Sequence, residues 1–203
     1  MATTTPTEPF PFPPHYSFPP FFTLQPVLAT RTSQLTSWSL FVQSYCRHHR
    51  LFQLSLIDAL ETPLFHNRAL KKRLLLRDAR ALFAWMAGPD GGHRAEWVDG
   101  GSGSAKKKGA GAGADAAEGD GGRVWVYWRR PEEWADVLEA WVEGTGQKGS
   151  VLTLYELTES DATASQEFHG MDPELLQKSL QVLVKRGRAQ VFGGEDSLGV
   201  KFF

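Results

Sequence analysis

The prolines at the start of this chain limit what it can become more than any other feature. Residues 11–26 read PFPPHYSFPPFFTLQP, and further prolines stand at 6 and 9. Proline holds φ near −65° and carries no N–H, so this stretch cannot enter a helix interior or a central strand. Residues 1–29 are therefore expected to be an extended Pro/aromatic leader, and regular structure has to come after it. The leader is not polar: Phe10, Phe12, Tyr16, Phe18, Phe21 and Phe22 stand among the prolines. Exposed on a stiff backbone, such rings aggregate unless something covers them. Burying one yields about 1.5–3 kcal/mol, and a polyproline segment loses little conformational entropy on docking. Two readings stay open at this point: the leader docks on a partner, or it folds back on its own domain.

Beyond the leader the apolar pattern turns helical. Leu35, Trp38, Phe41, Val42, Tyr45 and Cys46 repeat every three or four residues and predict a helix over Thr30 to Arg50. A short apolar piece, LFQLSLIDAL, precedes PLFHNRALKKRL, in which Pro63 marks a boundary. Leu75, Ala79, Leu82 and Met86 then predict a helix ending at Gly88-Pro89. RAEWVD and RVWVYWRR read as two strands, separated by a Gly/Ala/Lys insert at about 99–122 that is too poor in apolar groups to pack and is expected to be a disordered hairpin tip.

The order then repeats. Pro131 opens a helix with Glu132 and Glu133 in its first turn and Trp134, Val137, Leu138, Trp141 and Val142 on one face. VLTLYELTE reads as a short strand running into a helical turn. Asp172 and Pro173 then start a helix that Gly187 stops, and RAQVF, GGEDSL and GVKFF form a closing hairpin. Each half thus reads helix, short strand, helix, helix, hairpin, which is the order of a winged helix-turn-helix. The fold expected is α+β, two tandem winged-helix domains over 30–130 and 131–203 behind the leader.

Composition excludes several classes of function. At 203 residues with 41% hydrophobic content the chain can build a core. A net charge of −1 and a pI near 6.6 provide no overall field for holding a polyanion. Cys46 is the only cysteine, and the histidines at 15, 48, 49, 66, 93 and 169 lack metal-ligand spacing, so neither an internal disulfide, a metal nor any other cofactor is expected. No GxSxG, Walker loop or strand-linked GxGxxG is present, and the reading is non-enzymatic. Neither a signal peptide nor a membrane-spanning run is expected. The strongest nucleic-acid signal is the cluster Arg68, Lys71, Lys72, Arg73, Arg77 and Arg80; a solvated face, an acidic protein or a lipid contact explains it equally well. Lys106 to Lys108, inside the insert, read as solubilising.

PPHYSFPPFFTLQP, the helix ending QSYCRHH, WRRPEEWADVLEAWVEGTGQKGSVLTLYEL, EFHG and the terminal GVKFF together resemble the small winged-helix subunit family of the ESCRT-II complex. The resemblance spans nearly the whole chain apart from 88–122. It implies a non-enzymatic adaptor in ubiquitin-dependent, multivesicular-body sorting, cytoplasmic and recruited peripherally to endosomal membrane, with two copies per complex attached to two larger subunits. Pro13, Pro14 and Tyr16 fall on the family's first docking motif and Pro19, Pro20 and Phe22 on its second, where Phe22 replaces a tyrosine and loses the hydroxyl. It also implies that the second domain recruits an ESCRT-III subunit. Exposed edge and wing positions would put that contact near Leu152, Thr153, Leu154, Gln190 and Phe192. No nucleic acid is expected as a partner. The rival readings are a winged-helix DNA-binding protein and a leader that serves as a WW-domain ligand.

Overall fold

The computed structural model describes residues 9–98, 122–193 and 198–203. The insert apart from Gly122, with Lys106 to Lys108, and the tip of the last hairpin lie outside the described residues. The chain forms two compact units, one ending at Trp128 and the other beginning at Arg129.

In the first unit, helix α1 runs Leu28–His49 and buries Leu35, Trp38, Phe41, Val42, Tyr45 and Cys46. It ends where Arg50 takes a left-handed conformation (φ 55°) and Leu51 N–H reaches back to the Cys46 carbonyl at 2.8 Å. Strand β1 (Gln53–Ser55) leads into a single helical turn, α2 (Leu56–Ala59), which Ser55 opens by accepting from the Asp58 N–H. Pro63 follows, and PLFHNRALKKRL makes a small antiparallel hairpin, β2 (His66–Asn67) with β3 (Lys72–Arg73), rather than prolonging the helix. Helix α3 (Leu76–Ala87) then packs its Ala79, Leu82, Phe83 and Met86 inward. At Gly91 the chain passes so close that a Cβ would lie 2.2 Å from the Trp85 carbonyl oxygen, which only glycine tolerates. Strands β4 (Ala95–Trp97) and β5 (Arg123–Val126) complete a sheet of order β1-β5-β4.

The second unit repeats the scheme. Helix α4 spans Pro131–Gly144, and the Glu133 carboxylate accepts from the Arg130 N–H at 2.7 Å. Strand β6 (Val151–Thr153) leads into α5 (Leu154–Thr158), where the Thr153 hydroxyl accepts from Glu156 N–H at 3.1 Å and the Glu156 carboxylate accepts from Thr153 N–H at 2.7 Å. Helix α6 (Pro173–Lys185) is capped by Asp172, and Gly187 turns the chain out of it at φ 70°. Strands β7 (Ala189–Phe192) and β8 (Gly199–Phe202) give a sheet of order β6-β8-β7.

The correspondence reaches single residues. Ser55 and Thr153 each end the first strand and cap the next helix; Val124 and Val200 sit buried on the central strand. Tyr127 N–H donates to the Arg94 carbonyl at 2.8 Å, as Phe203 N–H does to that of Arg188 at 2.9 Å. One arrangement of backbone bonds is thus built twice from dissimilar side chains.

The leader departs from the sequence expectation. It is not extended: it coils into two 3₁₀ turns, Pro14–Ser17 and Pro19–Phe22, each with proline at its first position. A φ near −65° suits a 3₁₀ turn as well as polyproline II, so the restriction that forbids a strand permits this coil. Nor are all its rings exposed, since Tyr16, Phe21 and Phe22 belong to the core of the first unit.

Candidate docking surfaces

The two turns are held to α1 by side chains beyond the leader. The Trp38 indole stacks on Phe21 with centroids 4.2 Å apart and planes at 7°, and meets Phe22 edge-on at 5.7 Å. Its Nε1–H donates to the Phe21 carbonyl at 2.9 Å. Gln34 Nε2 donates to the carbonyls of Phe21 and Thr23, each at 2.9 Å, while its Oε1 accepts from the Gln25 N–H at 3.0 Å. The first turn is tied to the β2–β3 region: the Tyr16 hydroxyl donates to the Pro63 carbonyl at 2.6 Å, and Asn67 Nδ2 donates to the Tyr16 carbonyl at 2.9 Å. Burial, with a smaller contribution from Tyr45, pushes the Tyr16 phenol up to about 12.

The six expected docking residues therefore divide into two groups. Tyr16 and Phe22 are buried, the latter 2% exposed, and act as internal anchors. Pro14, Pro19 and Pro20 face solvent, as does Phe18 at 59% exposure, while Pro13 is half-buried. Pro13 lines a groove of about 230 Å³ with Phe10, Pro11, His15, Leu40 and Phe41. His15 packs edge-on against Phe21 at 4.6 Å, and burial pulls its imidazole below the usual value. A WW domain would have to extract Tyr16 from its bond to Pro63 before gripping the ring, which counts against the WW reading.

In the second unit the sequence-predicted contact residues are only partly gathered. Leu154 and Gln190 line an apolar groove of about 380 Å³ with Leu180, Val184, Val191 and Leu198. Leu152 and Thr153 do not line it: Leu152 sits half-buried opposite Val200, and the Thr153 hydroxyl and N–H are engaged in the cap of α5. Phe192 is 41% exposed and lies across Gly199. Sequence reasoning named none of Leu180, Val184 and Leu198 here. Leu180 is buried on α6, and Val184 follows it by one helical turn, a spacing that could have marked it.

The basic cluster is dispersed over different elements. Arg68, Lys71, Lys72 and Arg73 lie on the β2–β3 hairpin, and only Arg77 and Arg80 lie on α3. The exposed positions along α3 are Arg77, Ala81 and Ala84, which offer one side chain able to hydrogen-bond a base edge and give little for reading a groove. Cys46 is fully buried and burial drives its thiol pKa upward, so it is no nucleophile.

The comparisons with known proteins bear on the family of the chain. The model of the family described as ESCRT-II complex subunit matches residues 15–172. Vacuolar protein-sorting-associated protein 25 of Danio rerio is 38% identical over 194 residues, covering 96% of this chain and 99% of its own. The Homo sapiens protein of that name is 36% identical over 96% of this chain and 98% of its own. Among solved structures, subunit VPS25 of the endosomal trafficking complex ESCRT-II superposes with a TM-score of 0.73 at 26% identity over 94% of this chain and 98% of the other. The crystal structure of the endosomal complex ESCRT-II (VPS22/VPS25/VPS36) matches with the same TM-score and coverage at 27% identity. The chain belongs to the ESCRT-II complex subunit family.

Proposed function

We propose that this chain is a non-enzymatic adaptor of two tandem winged-helix domains, the first spanning 30–130 and the second 131–203, within an endosomal ESCRT-II assembly. It attaches to the two larger subunits, with two copies of the chain per complex, through its leader. The observation that carries this reading is the division of the leader: Tyr16, Phe21 and Phe22 are locked into the first unit while Pro14, Phe18, Pro19 and Pro20 stand outward on the same turns. Side chains held on a fixed backbone lose little freedom on binding, so the buried rings preorganise the exposed ones. Pro13, Pro14 and Tyr16, then Pro19, Pro20 and Phe22, keep their docking roles in this reading, the prolines by contact and the two rings by shaping the turns.

The second unit recruits an ESCRT-III subunit. The apolar groove lined by Leu154 and Gln190 supports that role; Leu152, Thr153 and Phe192 belong to the contact in this reading. Among the described residues no helix is long and apolar enough to cross a membrane. In this reading the protein is cytoplasmic and reaches the endosome peripherally through its complex. Co-expression with the two larger subunits, followed by mass determination by light scattering, tests the reading. A complex holding two copies of this chain and one of each larger subunit is expected; a chain that elutes alone would refute it.

A further inference from the structure

The cations of the second unit are largely neutralised within it. All four of its arginines face carboxylates: Arg129 with Glu167, Arg130 with Glu133, Arg186 with Asp136 and Arg188 with Glu139. The β2–β3 hairpin of the first unit is different. Arg73 meets Glu61, but Arg68, Lys71 and Lys72 are exposed and make no ion pair among the described residues. The turn that carries them is held by hydrogen bonds of the Asn67 side chain. Leu70 N–H donates to Asn67 Oδ1 at 3.0 Å, Lys71 is held at φ 52°, and Asn67 is bound in turn to the leader carbonyl of Tyr16. Three uncompensated positive charges are thus presented together on one hydrogen-bonded turn of a chain whose net charge is −1.

We propose that this hairpin is a contact for anionic lipid headgroups, touching the membrane surface directly rather than only through partner subunits. Charge without an apolar centre suits a lipid surface. Between Arg68 and Lys72 the one exposed apolar residue is Ala69, whereas a protein interface needs a dry hydrophobic centre. Nucleic acid is disfavoured because no aromatic side chain stands among these cations for base stacking. A diffuse negative surface attracts each nearby lysine or arginine with a gain of about fivefold in partitioning, and that gain fades within a Debye length of about 10 Å at 0.1 M salt. The inference extends the endosomal reading, and its failure would leave complex assembly untouched because the two have separate readouts.

The test is co-sedimentation of the full chain with phosphatidylcholine vesicles, with and without about 30 mol % phosphatidylserine, at about 25 mM and about 150 mM salt. Preferential binding to the anionic vesicles is expected at low salt, weakening at high salt, and falling by about tenfold or more in R68E/K71E/K72E. The milder R68Q/K71Q/K72Q guards against a folding artefact, and K185E, a charge reversal on the second unit, should bind as the parent does. Equal binding to both vesicle types, equal binding by the triple variants, or tighter binding to a short DNA duplex than to the anionic vesicles would overturn the inference.

Discussion

Trp38 and Phe21 are joined twice: the indole ring lies flat on the phenyl ring, 4.2 Å away, and its N–H donates to the same residue's carbonyl. The pair closes the leader onto α1, so the leader is part of the first unit's core and not an appendage. Trp38→Ala removes both links and leaves a cavity, at a cost of about 3–5 kcal/mol. Trp38→Phe keeps a ring and loses the hydrogen bond, at a cost of about 1–2 kcal/mol with some lost packing. Urea unfolding measures both, and limited proteolysis should cut the leader sooner in the alanine variant.

Tyr16 adds a pH-dependent contribution at the alkaline end. Its folded pKa, about 12, lies above the ordinary value of 10.0, so the neutral phenol favours the fold. That stability is complete below pH 10 and disappears as pH rises from 10 towards 12. Tyr16→Phe should cost about 0.5–1.5 kcal/mol at neutral pH through the lost bond to Pro63. The difference between parent and variant should shrink above pH 10 in chemical denaturation, and a constant difference across that range would count against the assignment.

His15 acts at the acid end with the opposite sign. Its imidazole packs on Phe21, its Nε2 is buried without a hydrogen-bond partner among the described residues, and Ser37 and Leu40 line the groove beside it. The folded pKa is depressed by burial below 6.5, so its contribution to stability is present above pH 6.5 and is lost as pH falls through the depressed value. His15→Phe should therefore lower the loss of melting temperature between pH 6.5 and about 5. A residual loss is expected from His49, depressed by burial and by neighbouring His48. Melting curves that shift equally in parent and variant would contradict this.

The groove of the second unit gives a binding prediction with only a modest folding contribution. Val184 lines it yet remains 42% exposed near the end of α6, so Val184→Asp should cost no more than about 1–1.5 kcal/mol, from the helix dipole and some lost packing. If the groove takes an ESCRT-III subunit as proposed, the variant should weaken that binding by at least about tenfold, since a charge would have to be desolvated in an apolar site. Calorimetric titration distinguishes this from an unaltered affinity.

What could be read from the sequence follows from where the information sits. Helices α4 and α6 were legible because local signals agree: Pro131 with Glu132 and Glu133 at one start, Asp172 and Pro173 at the other, and Gly187 at the stop. The hairpin β2–β3 was not, because two-residue strands carry no periodicity. The leader's coil was hidden for a different reason. Proline's φ serves a polyproline helix and a 3₁₀ turn alike, and the choice is made by Gln34, Trp38 and Asn67, which lie outside the leader. The groove around Leu154 needs Val184 from a helix and Leu198 from a hairpin, which only the tertiary fold brings together.

The central claim is that buried rings hold an exposed proline-aromatic face for docking on the larger subunits. Because Tyr16 and Phe22 are core residues, replacing them would confuse lost docking with lost folding. The direct measurement is the affinity of the folded chain for the assembled pair of larger subunits, by calorimetry, for the parent and for P14A/F18A/P19A/P20A. The account predicts a variant that still folds cooperatively, with stability lowered by about 1–3 kcal/mol through the three lost prolines, and an affinity of the folded chain weaker by on the order of 100-fold, as expected when a cluster of interface anchors is removed. An unchanged affinity in a variant that folds normally would contradict it.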